Sequence, residues 1–150
     1  MTEIYVDADA CPVKDEVLRV AHRHGILVHL VSNRWLRGAD HPLIRRIVVP
    51  QGADAADDWI AERIGPGDIA VTGDIPLASR CLDRKARVLD SAGRPFTPDS
   101  IGMALAMRDL KAHFRETGDI SGINPAFTKQ DRSRFLSALE VTIQAIRRGR

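Results

Sequence analysis

Glu3-Ile4-Tyr5-Val6-Asp7-Ala8-Asp9-Ala10-Cys11-Pro12 is the stretch on which the fold turns. Its first five residues, β-branched and aromatic at the centre, predict a buried strand that ends on an acid. Pro12 suits the first turn of a helix, where its missing N–H costs nothing. Val13, Val17, Val20 and Ala21 then recur at helical spacing to about residue 24. Gly25 reads as the stop, and Ile26-Leu27-Val28-His29-Leu30-Val31 as a second strand.

The same alternation continues outward. Ser32 to Pro42 is polar and turn-like, Ile44 to Val49 reads as a third strand, and Pro50-Gln51-Gly52 ends it. A helix over about 54–64, a Gly65-Pro66-Gly67 stop, a strand over 68–72, a short helix over 76–84 and a strand over 86–89 follow. Two helices, about 99–115 and 129–148, complete the chain around a Gly/Asn/Pro loop. Strands alternating with helices through short turns predict an α/β fold, one domain over 1–150 with a mainly parallel sheet covered on both faces.

Composition narrows the class. Of the 150 residues, 44% are apolar and 28% charged, which fits a soluble globular protein with a full core. No stretch approaches the roughly 20 apolar residues of a bilayer span, and the N-terminus has no signal-peptide pattern, so a cytoplasmic protein is expected. Two cysteines, Cys11 and Cys81, are too few for a disulfide framework and read as reduced, buried thiols. Net charge is uneven: residues 1–99 hold 13 basic and 15 acidic side chains, residues 100–150 hold 9 and 5. The basic C-terminal end, Arg147-Arg148-Gly149-Arg150, would suit a polyanion if it lies beside an acidic site; otherwise it complements a helix dipole.

Ligands of open parallel sheets bind beyond the carboxyl ends of the strands. Asp7 ends the first strand, Asp9 follows in the turn, and Asp74 follows the fourth strand within Thr72-Gly73-Asp74-Ile75-Pro76. Asp57 heads the stripe Asp57, Ile60, Ala61, Ile64, whereas Asp54 and Asp58 fall to its solvent side. Each acid has a structural alternative: Asp54 as a helix cap with Asp57 in the first turn, Asp74 as the cap of the helix opened by Pro76, Asp9 as a brace of the Pro12 turn. Asp7 has no cap to make. Lys14 and Arg80 are the nearby cations, and a hard divalent ion, Mg²⁺ or Mn²⁺, is the natural partner of such oxygens.

Carboxylates around Mg²⁺ suit hydrolysis of a phosphodiester, with basic residues tracking a nucleic-acid backbone. Asn33 and Arg34, after the second strand, and Lys14 are candidate substrate contacts. Asp7-x-Asp9 with Gly73-Asp74 also resembles the haloacid-dehalogenase phosphatases, whose first Asp is the nucleophile. That family expects Thr or Val at Cys11, and a further acid where Ala78 and Ser79 stand. A third reading is a non-catalytic, metal-binding RNA-interaction module. Trp35 and Trp59 are its candidate stacking residues, with core packing the alternative for Trp59. Arg132 is expected to pair with Asp131 or Glu140.

Val6-Asp7-Ala8-Asp9-Ala10-Cys11-Pro12, Ala56-Asp57-Asp58-Trp59-Ile60 and Thr72-Gly73-Asp74-Ile75-Pro76-Leu77-Ala78 resemble the YaiI/YqxD family of uncharacterised bacterial proteins. Phe127-Thr128-Lys129-Gln130-Asp131-Arg132 with Phe135 and Leu139-Glu140 is similar to its C-terminal block. That family is regarded as PIN-like, so the resemblance implies a Rossmann-like three-layer α/β/α sandwich. By analogy it also implies a metal-dependent nuclease site at Asp7, Asp9, Asp57 and Asp74. Where the family often has Gly-Gly-Pro before the last block, this chain reads Ser121-Gly122-Ile123-Asn124-Pro125.

Overall fold

The computed structural model describes residues 1–37, 41–52, 54–117 and 127–149, with the backbone alone for residues 10 and 111–117. The Ser121–Pro125 loop lies outside the described residues. Strand β1 (Glu3–Asp7) leads through one 3-10 turn (Ala8–Ala10) into α1 (Lys14–His24) and β2 (Leu27–Ser32). Then come β3 (Ile44–Val48), α2 (Ala55–Arg63), β4 (Ile69–Val71), α3 (Ile75–Asp83), β5 (Arg87–Leu89) and β6 (Pro95–Phe96). The helices α4 (Pro98–Thr117) and α5 (Lys129–Arg147) follow.

The sheet order is β3-β2-β1-β4-β5-β6, parallel except for β6 against β5. Connections run one way from β1 to β3 and the other way from β4, so the switch point lies between β1 and β4. The expected mainly parallel sheet is present. The 3-10 turn and β6 are additions to the expected elements. Two residues, one of them a proline, carry no period from which a strand can be read. Pro12 also sits ahead of α1, not within its first turn: the helix begins with Val17 N–H donating to the Val13 carbonyl at 3.0 Å.

Alternation along β1 divides the core. Ile4 and Val6 pack with Val13, Val17 and Val20 of the α1 segment and with Phe135, Leu139 and Ile143 of α5. Tyr5 faces the other side with Ala70, Val88, Ile60, Leu77 and Cys81, under α2 and α3. Helices thus cover both faces in a Rossmann-like three-layer arrangement. The α5 stripe follows the i, i+4, i+8 spacing of a helix with one buried face, and all three of its residues are fully buried.

α5 runs alongside α1 in the same direction. Arg132 near its start donates to the Pro12 carbonyl at 2.7 Å and to Glu16 at 3.1 Å. Arg147 near its end donates to the His24 carbonyl at 2.8 Å. Glu140, bonded by His24, Gln144 and Arg23, has its carboxyl pulled down to about 2. One expectation is corrected here, and one open alternative is decided. Arg132 pairs with Glu16, because the α1–α5 contact puts that acid within reach; Asp131 instead forms a capping box with Thr128. The basic stretch at Arg147 lies at the far end of α1 from the strand ends, about 16 Å away by the rise of an 11-residue helix. It therefore serves a helix terminus, not the acidic rim.

Among the described residues no helix is long and apolar enough to cross a membrane. Gly93, in the turn between β5 and β6, has φ +83°, and a Cβ there would meet the Arg134 carbonyl oxygen at 2.7 Å. Gly93→Ala combines left-handed strain with a backbone clash and is expected to cost about 2–4 kcal/mol, read as a lower urea midpoint.

Candidate functional site

Val6 pairs with Val71 in the β1–β4 register, so Asp7 and Thr72 leave the sheet side by side at the switch point. The Thr72 hydroxyl donates to Asp7 Oδ2 at 3.0 Å and accepts the Asp74 backbone N–H at 3.0 Å. Asp74 caps α3, its Oδ1 accepting the Leu77 N–H at 3.0 Å. The capping alternative for Asp74 is thus realised, and it fixes the carboxylate at the rim. Asp7, Thr72, Gly73 and Asp74 line a cavity of about 360 Å³ with Cys11 and Ser91.

Asp57 enters from the first turn of α2. Burial pushes its carboxyl up to about 6, and the charges of Asp74, Asp7 and Asp54 add to that, with Arg80 opposing. Burial likewise raises Asp7, against the pull of the Thr72 hydroxyl, and Asp74 and Asp9 raise it further. Asp7, Asp57 and Asp74 are therefore brought into one repulsive group. Asp9, whose charge also bears on Asp7, is exposed at the edge of this group, with one oxygen accepting the Ser32 hydroxyl and Oδ2 accepting the Asn33 N–H at 3.0 Å. Asp54 stands at the α2 N-cap position without a side-chain capping bond. Asp58 is exposed and pairs with Arg80 at 2.7 Å. Lys14 donates to the Ala8 carbonyl at 3.1 Å, while Asn33 and Arg34 are exposed beyond β2.

Asp57 has a measurable consequence. A carboxyl held near 6 when folded and near 4 when unfolded binds its proton more tightly in the folded chain. Its contribution to stability is full below about pH 4 and lost as pH rises through 6. In metal-free buffer the gap in melting temperature between Asp57→Asn and wild type is expected to widen in favour of the variant between pH 4 and 7. A constant gap across that range would contradict a carboxyl raised by burial and by its acidic neighbours.

Thr72 and Ser91 are the residues that sequence reasoning missed. Thr72 was legible as the last residue of a strand on the ligand-binding edge. Ser91 was hidden because the turn it occupies depends on the unforeseen β6. Both cysteines are buried, as expected. Burial raises the Cys11 thiol and pushes Cys81 up to about 12, so neither is a thiolate nucleophile near neutrality.

Among the described residues no three His, Cys, Asp or Glu side chains converge closely enough to hold a metal ion as they stand. In kind, the donors at the rim do fit a hard divalent cation. They are carboxylate oxygens, their mutual repulsion asks for positive charge, and the two nearby cations are engaged at Ala8 and Asp58.

These features define an α/β protein with a Rossmann-like layered sheet and an acid-rimmed switch point. The model of the Uncharacterized BCR, YaiI/YqxD family matches residues 5–145, and the chain belongs to that family. It is 66% identical over 148 residues to a UPF0178 protein of Parvibaculum lavamentivorans, covering 99% of this chain and 97% of that one. It is 60% identical over 137 residues to UPF0178 protein mlr0875 of Mesorhizobium japonicum, covering 91% and 88%. To UPF0178 protein Rru_A0086 of Rhodospirillum rubrum it is 54% identical over 149 residues, covering 99% of each chain. No solved structure matches it.

Proposed function

We propose that this protein is a Mg²⁺- or Mn²⁺-dependent nuclease of PIN-like type that hydrolyses RNA phosphodiester bonds at the β1–β4 switch point. The observation that carries the reading is the position of Asp7 at the end of β1, Asp57 in the first turn of α2 and Asp74 at the cap of α3, three acids at the edge where such sheets bind ligands. These three would hold the metal, which when bound supplies an activated water and neutralises phosphate charge. Thr72 orients Asp7 through its hydroxyl, and the α3 cap orients Asp74. Lys14, Asn33 and Arg34 sit at or beside the same rim and contact the substrate backbone.

This chemistry requires no general-base histidine. Among the described residues His29 pairs with Glu3, His24 with Glu140, and His22 with His41. The phosphatase alternative is weaker. Departure of an alkoxide from a phosphomonoester needs a proton donor beside Asp7, yet both Asp9 oxygens are engaged as acceptors, from the Ser32 hydroxyl and the Asn33 N–H. A non-catalytic metal-binding module is separated by turnover. Incubation of single-stranded RNA with Mn²⁺ should yield cleavage that EDTA abolishes and Asp74→Asn strongly reduces. Metal-independent cleavage, or full activity in Asp74→Asn, would overturn the reading.

A further inference from the structure

The segment that follows β2 is tied to the turn after β1 and carries an exposed aromatic side chain. Trp35 is 60% exposed, whereas Trp59 is half-buried against Tyr5 and His29. The Arg46 guanidinium lies over the Trp35 ring, 4.0 Å from its centroid, and also donates to the Leu36 carbonyl at 3.2 Å. One face of the indole is thus backed by a cation, and the side chain as a whole stays open to solvent. Two further cations, Arg34 and Arg37, are exposed on the same segment and flank Trp35.

Asp9 holds this segment in place. Its carboxylate accepts the Ser32 hydroxyl and the Asn33 N–H, and the Ser32 oxygen in turn accepts the Arg34 N–H at 3.1 Å. The chain leaving β2 is thereby pinned to the turn after β1, which carries Asp7 at its start. β3, from which Arg46 reaches Trp35, lies two strand spacings from β1, about 10 Å.

We infer that Trp35 is a stacking platform for an unpaired nucleobase, that the flanking arginines take the adjacent phosphates, and that Asp9 is the positioning residue that sets the platform beside the acidic rim. A base can stack on the open face of an indole, the cation behind it strengthens the stack, and no base identity is read. A duplex hides its base faces and cannot use the site. This rests on the nuclease reading for its substrate class, single-stranded RNA, and tests separately from it.

Binding of labelled oligo(U) is followed by fluorescence anisotropy in EDTA, so that neither metal nor cleavage enters. Trp35→Ala should weaken binding about five- to a hundredfold, the usual loss of one stacked base, and Trp35→Phe should restore most of it. Asp9→Asn should weaken binding too, and add little in the Trp35→Ala background. Oligo(U)·oligo(A) duplex should bind more weakly and be indifferent to residue 35. Unchanged oligo(U) affinity in Trp35→Ala, an equal loss on duplex, or no oligo(U) binding by wild type would each overturn the inference. Trp35-dependent binding by a protein that cleaves RNA with no divalent metal leaves it standing and overturns the metal-dependent reading of the acids. Metal-dependent cleavage with Trp35-independent binding does the reverse.

Discussion

Asp7→Asn is expected to reduce metal-dependent RNA cleavage by at least about a hundredfold, since even outer residues of metal sites cost 10- to 100-fold when lost. The substitution keeps shape: asparagine retains an oxygen to accept the Thr72 hydroxyl, so the end of β1 and its link to Asp74 survive. What it removes is charge, at the centre of the group formed with Asp57 and Asp74. Without metal that charge is a liability, since burial and its acidic neighbours both disfavour it. The variant should therefore melt at a higher temperature than wild type in EDTA at neutral pH while losing activity. Opposite signs in the two measurements separate a lost ligand from a damaged fold. A parallel fall in both would mean that Asp7 is structural.

Phe135→Ala should be the most damaging single truncation in α5, costing about 3–5 kcal/mol. The ring is fully buried between α1 and the sheet, with Leu139 and Ile143 below it on the same stripe. The ion pairs flanking α5, Arg132–Glu16 and Arg23–Glu140, include side chains about half exposed and cannot compensate. Domains of this size have about 5–15 kcal/mol in total, so the variant should show a far lower urea midpoint. Val141→Ala, on the same helix but 63% exposed, should stay within about 0.5 kcal/mol of wild type. Equal effects at the two positions would show that α5 is not held by this stripe.

The regular elements were legible because their periods are strong. Val13, Val17, Val20 and Ala21 could face only one way on a helix, and the alternation through β1 divides Ile4 and Val6 from Tyr5 just as the two core layers do. The strand ends carried Asp7 and Asp74 to one edge by topology alone. What the sequence left open was orientation and pairing at the ends of side chains. Nothing in the spacing of Asp9 shows that Ser32 and Asn33 claim it. Arg132 was expected to reach Asp131 or Glu140, and Glu16 came into view only through the course of α5 along α1. The place of the basic Arg147 end was left open for the same reason, since charge has no direction until the helix beneath it does.

The most direct measurement is a calorimetric titration of Mn²⁺ into the metal-free protein at neutral pH. Wild type should bind saturably. Asp7→Asn, Asp57→Asn and Asp74→Asn should each lose most of that affinity, and Asp58→Asn, at the exposed Arg80 pair, should keep it. Absence of binding by wild type, or undiminished binding when Asp7, Asp57 and Asp74 are replaced, would contradict a metal centre at the β1–β4 switch point.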